Sequence, residues 1–165
     1  VAGSPFSAGT NPSAIVVSPN GLFALVTNLG SNDISVYSIN GSTGALSAVA
    51  GSPFSVGTSP TGVAVSPNGS FVYAANQGSN NVSAFTINNT TGALTTVAGA
   101  PFSAGTSPAG VTISPNGSFA YVANGGTNNI SAFTINSSTG VLAAVAGSPF
   151  SAGTTPSGVA SPGRP

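Results

Sequence analysis

Side chains that could carry out chemistry are nearly absent from this sequence of 165 residues. It contains one acid, Asp33, and one base, Arg164, and it has no histidine or cysteine. General acid–base catalysis needs a side chain such as His, Glu or Lys with a shifted pKa, and a serine nucleophile needs a basic partner. Asp33 lies in a loop and aligns with Asn81 and Asn129 when the sequence is compared with itself, which indicates a turn residue. The sequence therefore predicts no catalytic residue and a chain that is not an enzyme.

The same shortage argues against cofactors, metals and nucleic acids. A Ca²⁺ site usually takes several carboxylate oxygens, and this chain has a single carboxylate. One arginine cannot neutralise a run of phosphates. No apolar run approaches the roughly 18 residues that a membrane span requires. We expect no cofactor, no metal, no nucleic-acid partner and no membrane span.

Asparagine side chains are the main candidates for chemical modification. Glycosylation sequons, in which Asn is followed two residues later by Ser or Thr, lie in expected turns or at the starts of strands. Copying of one repeat accounts for part of their number. Asn and Ser are, in addition, common turn residues. The candidate glycosylation sites are Asn40, Asn68, Asn81, Asn88, Asn89, Asn116, Asn129 and Asn136.

One phrase recurs through the chain and defines its organisation. Val-Ala-Gly-(Ser/Ala)-Pro-Phe-Ser begins at Val1, Val49, Val97 and Val145, a constant period of 48 residues. This period suits a four-stranded propeller blade and is too long for one coil of a leucine-rich solenoid. A β-sandwich is the alternative, but a sandwich does not need an exact repeat.

Each repeat contains four short segments rich in β-branched and aromatic residues, separated by turn signals. The turn Ser-Pro-Asn-Gly joins the first two, because proline presets φ and glycine accepts a positive φ. Apolar residues lie on both faces of the segments, as in sheets covered on both sides. The expected strands are Ser13–Ser18, Phe23–Asn28, Ile34–Ile39 and Ala45–Ala50, then Gly62–Ser66, Phe71–Asn76, Val82–Ile87 and Ala93–Ala98, then Gly110–Ser114, Phe119–Asn124, Ile130–Ile135 and Val141–Ala146.

The fold class that follows is all-β, with three full propeller-type blades and a lone strand at each end. The expected units are 1–10 (a lone fourth strand), 11–58, 59–106 and 107–154 (three blades), and 155–165 (a lone first strand and tail). Propellers typically have about four to eight blades, so three would leave apolar faces and strand edges exposed. Either the chain is a piece of a longer repeat protein, or its ends pair with neighbouring copies. The residues expected in such assembly strands are Val1, Ala2, Phe6, Ser157, Val159 and Ala160.

The repeated motifs resemble a known family. Leu25-Val26-Thr27-Asn28, Tyr73-Ala74-Ala75-Asn76 and Tyr121-Val122-Ala123-Asn124, each preceded by Ser-Pro-Asn-Gly, are similar to the YVTN-type, lactonase-like β-propeller repeat. The resemblance covers residues 1–160 and implies the blade fold. It implies no activity, because such blades occur in enzymes, binding proteins and surface proteins. The charged and histidine side chains that lactonase-like enzymes use around the central channel have no counterpart here.

These observations favour a structural role. A surface with almost no charge favours association, so we expect it to be buried in an assembly or coated with glycan. The expected function is a non-enzymatic, extracellular or cell-surface repeat protein that self-associates, as a filament or surface assembly, with copies of itself and glycans as partners. The alternatives are a glycan- or peptide-binding propeller module and a fragment of a larger lactonase-like propeller.

Overall fold

The computed structural model describes residues 1–160, which form three antiparallel β-sheets and contain no helix, hence none that could cross a membrane. Arg164 lies outside the described residues. Each sheet takes five consecutive strands. The strands are β1 (Pro12–Val17), β2 (Phe23–Asn28), β3 (Asp33–Ile39), β4 (Leu46–Ala48), β5 (Phe54–Ser55), β6 (Pro60–Val65), β7 (Phe71–Asn76), β8 (Asn81–Ile87), β9 (Leu94–Thr96), β10 (Phe102–Ser103), β11 (Pro108–Ile113), β12 (Phe119–Asn124), β13 (Asn129–Ile135), β14 (Leu142–Ala144) and β15 (Phe150–Ser151).

The first four strands of each sheet form an antiparallel meander, and the fifth returns to the third. In the first sheet, β1 pairs with β2, β2 with β3, and β3 with both β4 and β5. This topology confirms the predicted all-β, four-stranded blades. The short fifth strand is a difference from the expectation. It arises because the chain turns at Gly51, where φ is +85°, and then rejoins the edge of β3.

The turn between the first two strands is held by a serine and an asparagine. Gly21 has φ +72°, and its amide donates to the Ser18 carbonyl at 2.8 Å. The Ser18 hydroxyl donates to Asn20 Oδ1 at 2.6 Å and accepts from the amide of Phe23 at 3.0 Å. The Ser-Pro-Asn-Gly motif therefore satisfies its own polar groups and fixes the hairpin register.

The three sheets pack face to face around two apolar clusters. Between the first and second sheets, Phe23, Leu25 and Ile34 meet Phe85 and Ile87. The corresponding residues of the second and third sheets form the other cluster. Each fully buried side chain of this size contributes about 1.5–3 kcal/mol. The middle sheet is covered on both faces, and every residue of β7 is buried.

The first strands of the three sheets lie side by side and mark the axis of the propeller. β6 contacts both β1 and β11, and the Ser13 hydroxyl donates to the Pro60 carbonyl at 2.7 Å. Thr61 repeats this bond with the Pro108 carbonyl at 2.9 Å. A Cβ added to Gly62 would lie only 2.9 Å from the Cα of Gly110, so the inner strands approach too closely for a larger residue there.

The outer faces of the first and third sheets are only partly covered. Ile15 in the first sheet is 64% exposed, whereas its counterpart Val111 in the third sheet is 7% exposed, because only Val111 has a sheet packed over it. An apolar groove of about 460 Å³ lies beside Ile15, lined also by Phe6, Val26 and Tyr37. The first sheet therefore exposes an apolar face, whereas the second and third sheets bury the equivalent face against a neighbouring sheet.

The lone strands expected at the two ends do not form. Residues 1–8 and 157–160 have no strand pairing, because a fourth strand needs the third strand of its own repeat and a first strand needs the second. The segment 1–8 instead lies along the first sheet, where the Ser7 carbonyl accepts a hydrogen bond from the Tyr37 hydroxyl. Of the predicted assembly residues, Phe6 and Val159 are half-buried, and the exposed ones are Val1, Ala2, Ser157 and Ala160.

Gly92 offers a test of the face-to-face packing. It has φ +76°, and an added Cβ would lie 2.7 Å from the ring of Phe23 in the neighbouring sheet. Gly44 has nearly the same φ, +72°, but its added Cβ would meet only Val1, at 3.6 Å. Gly44→Ala should cost the left-handed strain alone, roughly 1–2 kcal/mol. Gly92→Ala should lower the free energy of unfolding by the same strain and by roughly a further 1–3 kcal/mol from overpacking. Urea unfolding measures both variants. Equal losses would mean that the ring of Phe23 moves aside freely.

The Tyr73 hydroxyl offers a second test, at alkaline pH. It donates to the Gly140 carbonyl of the next sheet at 2.8 Å, and burial raises the pKa of this phenol. Its contribution to stability is fully present below the ordinary tyrosine pKa of about 10. Above that pH the unfolded chain loses the proton while the buried phenol keeps it, so the free energy of unfolding should fall as pH rises.

Tyr73→Phe should remove much of this alkaline loss, at a cost near neutral pH of about 1 kcal/mol from the missing hydrogen bond. Tyr121→Phe is the matched control, because Tyr121 occupies the same strand position and is only half-buried. Denaturant unfolding at pH 7 and above pH 10 measures both variants. An identical alkaline loss in wild-type protein and Tyr73→Phe would contradict the assignment.

Candidate functional site

One end of the three sheets carries polar side chains at equivalent positions in every repeat. At this end the first strands begin, the second strands end and the third strands begin, as the pairing of Pro12 with Asn28 and of Asn28 with Asp33 shows. We call it the loop end. It includes the crossing segments 56–59 and 104–107, which lead from one sheet to the next. Because the first strands lie side by side, the loops of successive sheets are neighbours at this end.

A buried asparagine ends the second strand of each sheet. In the second sheet, Asn76 Nδ2 donates to Asn81 Oδ1 at 2.8 Å and to the Ser83 hydroxyl at 2.9 Å. Asn28 and Asn124 make the equivalent bonds in the other sheets. All three are fully buried, and they join the second strand to the third at the loop end.

The crossing segments close over these asparagines. A Cβ added to Gly57 would lie 2.7 Å from Asn76 Nδ2, and Gly9 and Gly105 meet Asn28 and Asn124 in the same way. The Oδ1 atom of each buried asparagine has no hydrogen-bond partner among residues 1–160. A ligand approaching from solvent would not reach these acceptors, because the glycine backbone covers them. The asparagines therefore belong to the framework of the loop end.

The crossing segment 56–59 is also fixed by side chains from both sheets that it connects. From the preceding sheet, Asn32 Oδ1 accepts the amide of Ser59 at 2.7 Å. From the following sheet, the Ser79 hydroxyl accepts the amide of Thr58 at 3.1 Å, and the Ser83 hydroxyl accepts the amide of Gly57 at 3.2 Å. Each crossing segment thus carries hydrogen bonds that tie neighbouring blades together without an ion pair.

Asp33, the single carboxylate, is part of this framework. It begins the third strand and is half-buried. Its Oδ1 atom accepts a hydrogen bond from the side-chain Nδ2 of Asn28 at 2.6 Å. Two strands separate it from the axis, a distance of roughly 10 Å at the usual strand spacing. Residues 1–160 contain no cluster of three or more His, Cys, Asp or Glu side chains. Apart from Asp33, the loop end offers a ligand hydrogen bonding from neutral amides, hydroxyls and backbone groups.

The structure divides the eight sequon asparagines into two groups. Asn81 and Asn129 are half-buried at the loop end, where their Oδ1 atoms accept bonds from the buried asparagines. The others lie in exposed turns at the opposite end of the sheets, which we call the turn end. These are Asn40, Asn68, Asn88, Asn89, Asn116 and Asn136.

Sequence reasoning missed the asparagines that hold the crossing segments. Asn32, Asn80 and Asn128 have φ of +60°, +57° and +54°, a region that few residues other than glycine and asparagine adopt. Each accepts an amide 27 residues further along the chain, from Ser59, Ser107 or Thr155. The sequence signal that could have identified these three residues is an Asn that recurs every 48 residues in a Gly/Ser/Asn loop.

Three blades whose first strands converge on one axis define a part of a β-propeller. The family model for "Lactonase, 7-bladed beta-propeller" matches residues 2–103 and 96–158. The chain therefore belongs to this lactonase family of seven-bladed propellers. The lactonase-like part of the sequence resemblance is confirmed, while the YVTN-type repeat remains an interpretation. No curated protein matches the chain.

Solved structures with the same fold include proteins named as lactonases. The periplasmic gluconolactonase PpgL of Pseudomonas aeruginosa is 24% identical, with a TM-score of 0.78 over 93% of this chain and 43% of its own. A candidate 6-phosphogluconolactonase of Bacteroides uniformis is also 24% identical, with a TM-score of 0.82 over 92% of this chain and 43% of its own. Identities at this level establish the fold alone. The chain spans less than half the length of these relatives.

Two expectations from the sequence are wrong. The family is one of lactonases, which are hydrolases, so membership in it contradicts the prediction that the chain is not an enzyme. The expected structural role, with self-assembly into filaments, conflicts with the same finding and with the structural relatives. The physical reason is that the missing charges were taken as a property of a whole protein, whereas the chain covers only part of the length of a lactonase fold.

Asn80→Gly tests the hydrogen bonds of the crossing segments. Glycine adopts the φ of +57° without strain. The substitution therefore removes only the hydrogen bond that the Ser107 amide donates to Asn80 Oδ1 at 2.9 Å. We expect a loss of about 1 kcal/mol in the free energy of unfolding, with faster hydrogen exchange in segment 104–107. Asn40→Gly, in an exposed turn at the other end, is the control and should leave that segment unchanged. Unaltered exchange in Asn80→Gly would show that the segment is held by packing alone.

Proposed function

We propose that this chain forms blades of a lactonase-like seven-bladed propeller that hydrolyses a cyclic ester of a sugar acid. The observation that carries the proposal is the family match over residues 2–158, together with blades that have the topology and axis of such a ring. In this role the three sheets supply a rigid scaffold and part of the loop end around the channel. The YVTN-type repeat is the form that we propose for each blade.

The reaction sets requirements that show what these blades contribute. Lactone hydrolysis adds one water across the ester bond: the water oxygen bonds to the carbonyl carbon, the ring C–O bond breaks, and a proton passes to the leaving alkoxide. A general base and a group that stabilises the oxyanion are needed. Asp33 is bonded to Asn28 two strands away from the axis. We therefore assign the proton transfers to the remaining blades of the ring. The three blades described here position the loops around the channel.

The loop end, whose polar groups are neutral apart from Asp33, also bears on the choice of substrate. A sugar lactone carries several hydroxyls, which match amide, hydroxyl and backbone groups. A phosphate group would need cations, and the sequence has a single arginine. The proposed substrate portion in contact with these blades is therefore an uncharged polyhydroxy ring, whether or not another blade binds a phosphate.

The complete propeller that contains this chain should hydrolyse a six-membered sugar lactone above the buffer rate, measured by acid release in a pH-stat. Asp33→Asn should leave kcat/KM within about twofold, because Asn81 and Asn129 occupy the same position in the other repeats. A loss of roughly a hundredfold or more in Asp33→Asn would make Asp33 a catalytic residue. Absence of hydrolysis with both phosphorylated and unphosphorylated lactones would contradict the proposed activity.

A further inference from the structure

The turn end presents the same exposed asparagine in each repeat. Asn68 and Asn116 occupy the third position of Ser-Pro-Asn-Gly-Ser and lie on the surface. Asn20 occupies the identical turn of the first repeat, where leucine follows the glycine and the sequon is incomplete. The chain therefore contains two acceptor turns and a third turn without a sequon, in which Asn20 Oδ1 accepts the equivalent bonds and Asn20 Nδ2 donates to Asn89 Oδ1 at 3.3 Å.

Hydrogen bonds orient these side chains with the amide nitrogen outward. Asn68 Oδ1 accepts the Ser66 hydroxyl at 2.6 Å and the Ser70 amide at 3.0 Å, so the oxygen faces the turn. Asn116 makes the same two bonds with Ser114 and Ser118. Among residues 1–160, the Nδ2 atoms of Asn68 and Asn116 donate to no side chain or backbone group. The nucleophilic side of each amide is therefore available.

The turn between the third and fourth strands repeats this orientation. Asn40 Oδ1 accepts the amides of Ser42 and Thr43 at 3.0 and 3.1 Å, and both Asn88 and Asn136 accept the equivalent amides. Asn89 differs, because its Oδ1 accepts Asn20 Nδ2 at 3.3 Å and it directly follows Asn88. The turn end thus carries five sequon asparagines whose oxygen is bound within their own turn and whose nitrogen is free.

The two sequons at the loop end differ in burial and in strand pairing. Asn81 begins a paired strand, is half-buried, and accepts both Asn76 Nδ2 at 2.8 Å and the Ser79 hydroxyl at 3.1 Å. Asn129 makes the same bonds with Asn124 and Thr127. Both side chains are half-buried at the start of a paired strand, so a glycosyltransferase would reach them less readily than the asparagines of the exposed turns.

We propose that the turn end is a site of N-glycosylation, at Asn40, Asn68, Asn88, Asn116 and Asn136, and that Asn81 and Asn129 stay unmodified. The co-reactant is an activated glycosyl donor, a sugar joined through its anomeric carbon to a phosphate leaving group, acted on by a glycosyltransferase. The Asn Nδ2 atom forms a bond to that carbon and loses one proton, while the carbon–oxygen bond to the phosphate breaks. No oxidation or reduction takes place.

The proposal gives the uncharged surface a physical basis for remaining in solution. Soluble proteins usually rely on surface charge, which this chain lacks. Hydrated sugars on the turn end would cover that surface with hydroxyls. They would also leave the loop end free, because the two ends lie at opposite edges of the same sheets.

Peptide mapping of the protein purified from its native source tests the assignment. Peptides containing Asn68 and Asn116 should carry glycan masses, and the peptide containing Asn20 should not. An intact mass equal to that of the bare polypeptide would overturn the proposal. Glycans at Asn81 or Asn129 in folded protein, at occupancies similar to Asn68, would overturn the structural division between the two ends.

Three variants made in the same source separate the sequon from the turn. Ser70→Ala and Ser118→Ala keep the backbone amides that bind Asn68 and Asn116 and should each remove one glycan mass. Leu22→Ser combined with Asn89→Ala completes a sequon at Asn20, releases Asn20 Nδ2 from its bond to Asn89 and should add one. Unchanged masses in all three variants would show that any sugar present is attached elsewhere, and the proposal would then be wrong.

Discussion

The structure depends on the burial of each sheet against its neighbours. A single meander of four short strands cannot hide two apolar faces, and in this chain both faces of the second and third strands are apolar. The middle sheet buries both of its faces against neighbouring sheets. Phe71, Tyr73 and Val82 pack on one side, and Val72 and Phe85 pack on the other. Blade-to-blade contact is therefore the source of the core, and a blade in isolation has none.

Polar groups between the blades are matched without charges. The crossing segments use asparagine oxygens and serine hydroxyls, and the inner strands use Ser13 and Thr61 to reach the carbonyls of the next strand. Neutral hydrogen bonds of this kind contribute about 1 kcal/mol each, but leaving a buried partner unmatched costs more. The repeated amides and hydroxyls thus specify how one blade sits against the next, while the apolar clusters supply most of the stability.

Much of the blade could be predicted from the sequence because its signals are local. The second strands have the predicted bounds, Phe23–Asn28 and its two copies, since a Ser-Pro-Asn-Gly turn precedes each one. The return of β5 to β3 was missed because it depends on a turn at Gly51 and a pairing across the sheet. The role of Asn32 was missed for a similar reason, because its partner Ser59 is 27 residues away. The functional error had another origin: residue types show what a segment lacks, but the family match identifies the larger fold to which it belongs.

The neutral hydrogen bonds at the loop end have a consequence for the solutions in which the fold is stable. Dissolved ions weaken ion pairs by screening them, with a Debye length of about 8 Å at physiological ionic strength. The one carboxylate described here is bonded to an amide, so there is little for the ions to screen. Salts that are excluded from protein surfaces would only strengthen the apolar contacts between blades. This part of the propeller should therefore lose no stability to the screening of charges when it passes from dilute water to concentrated salt.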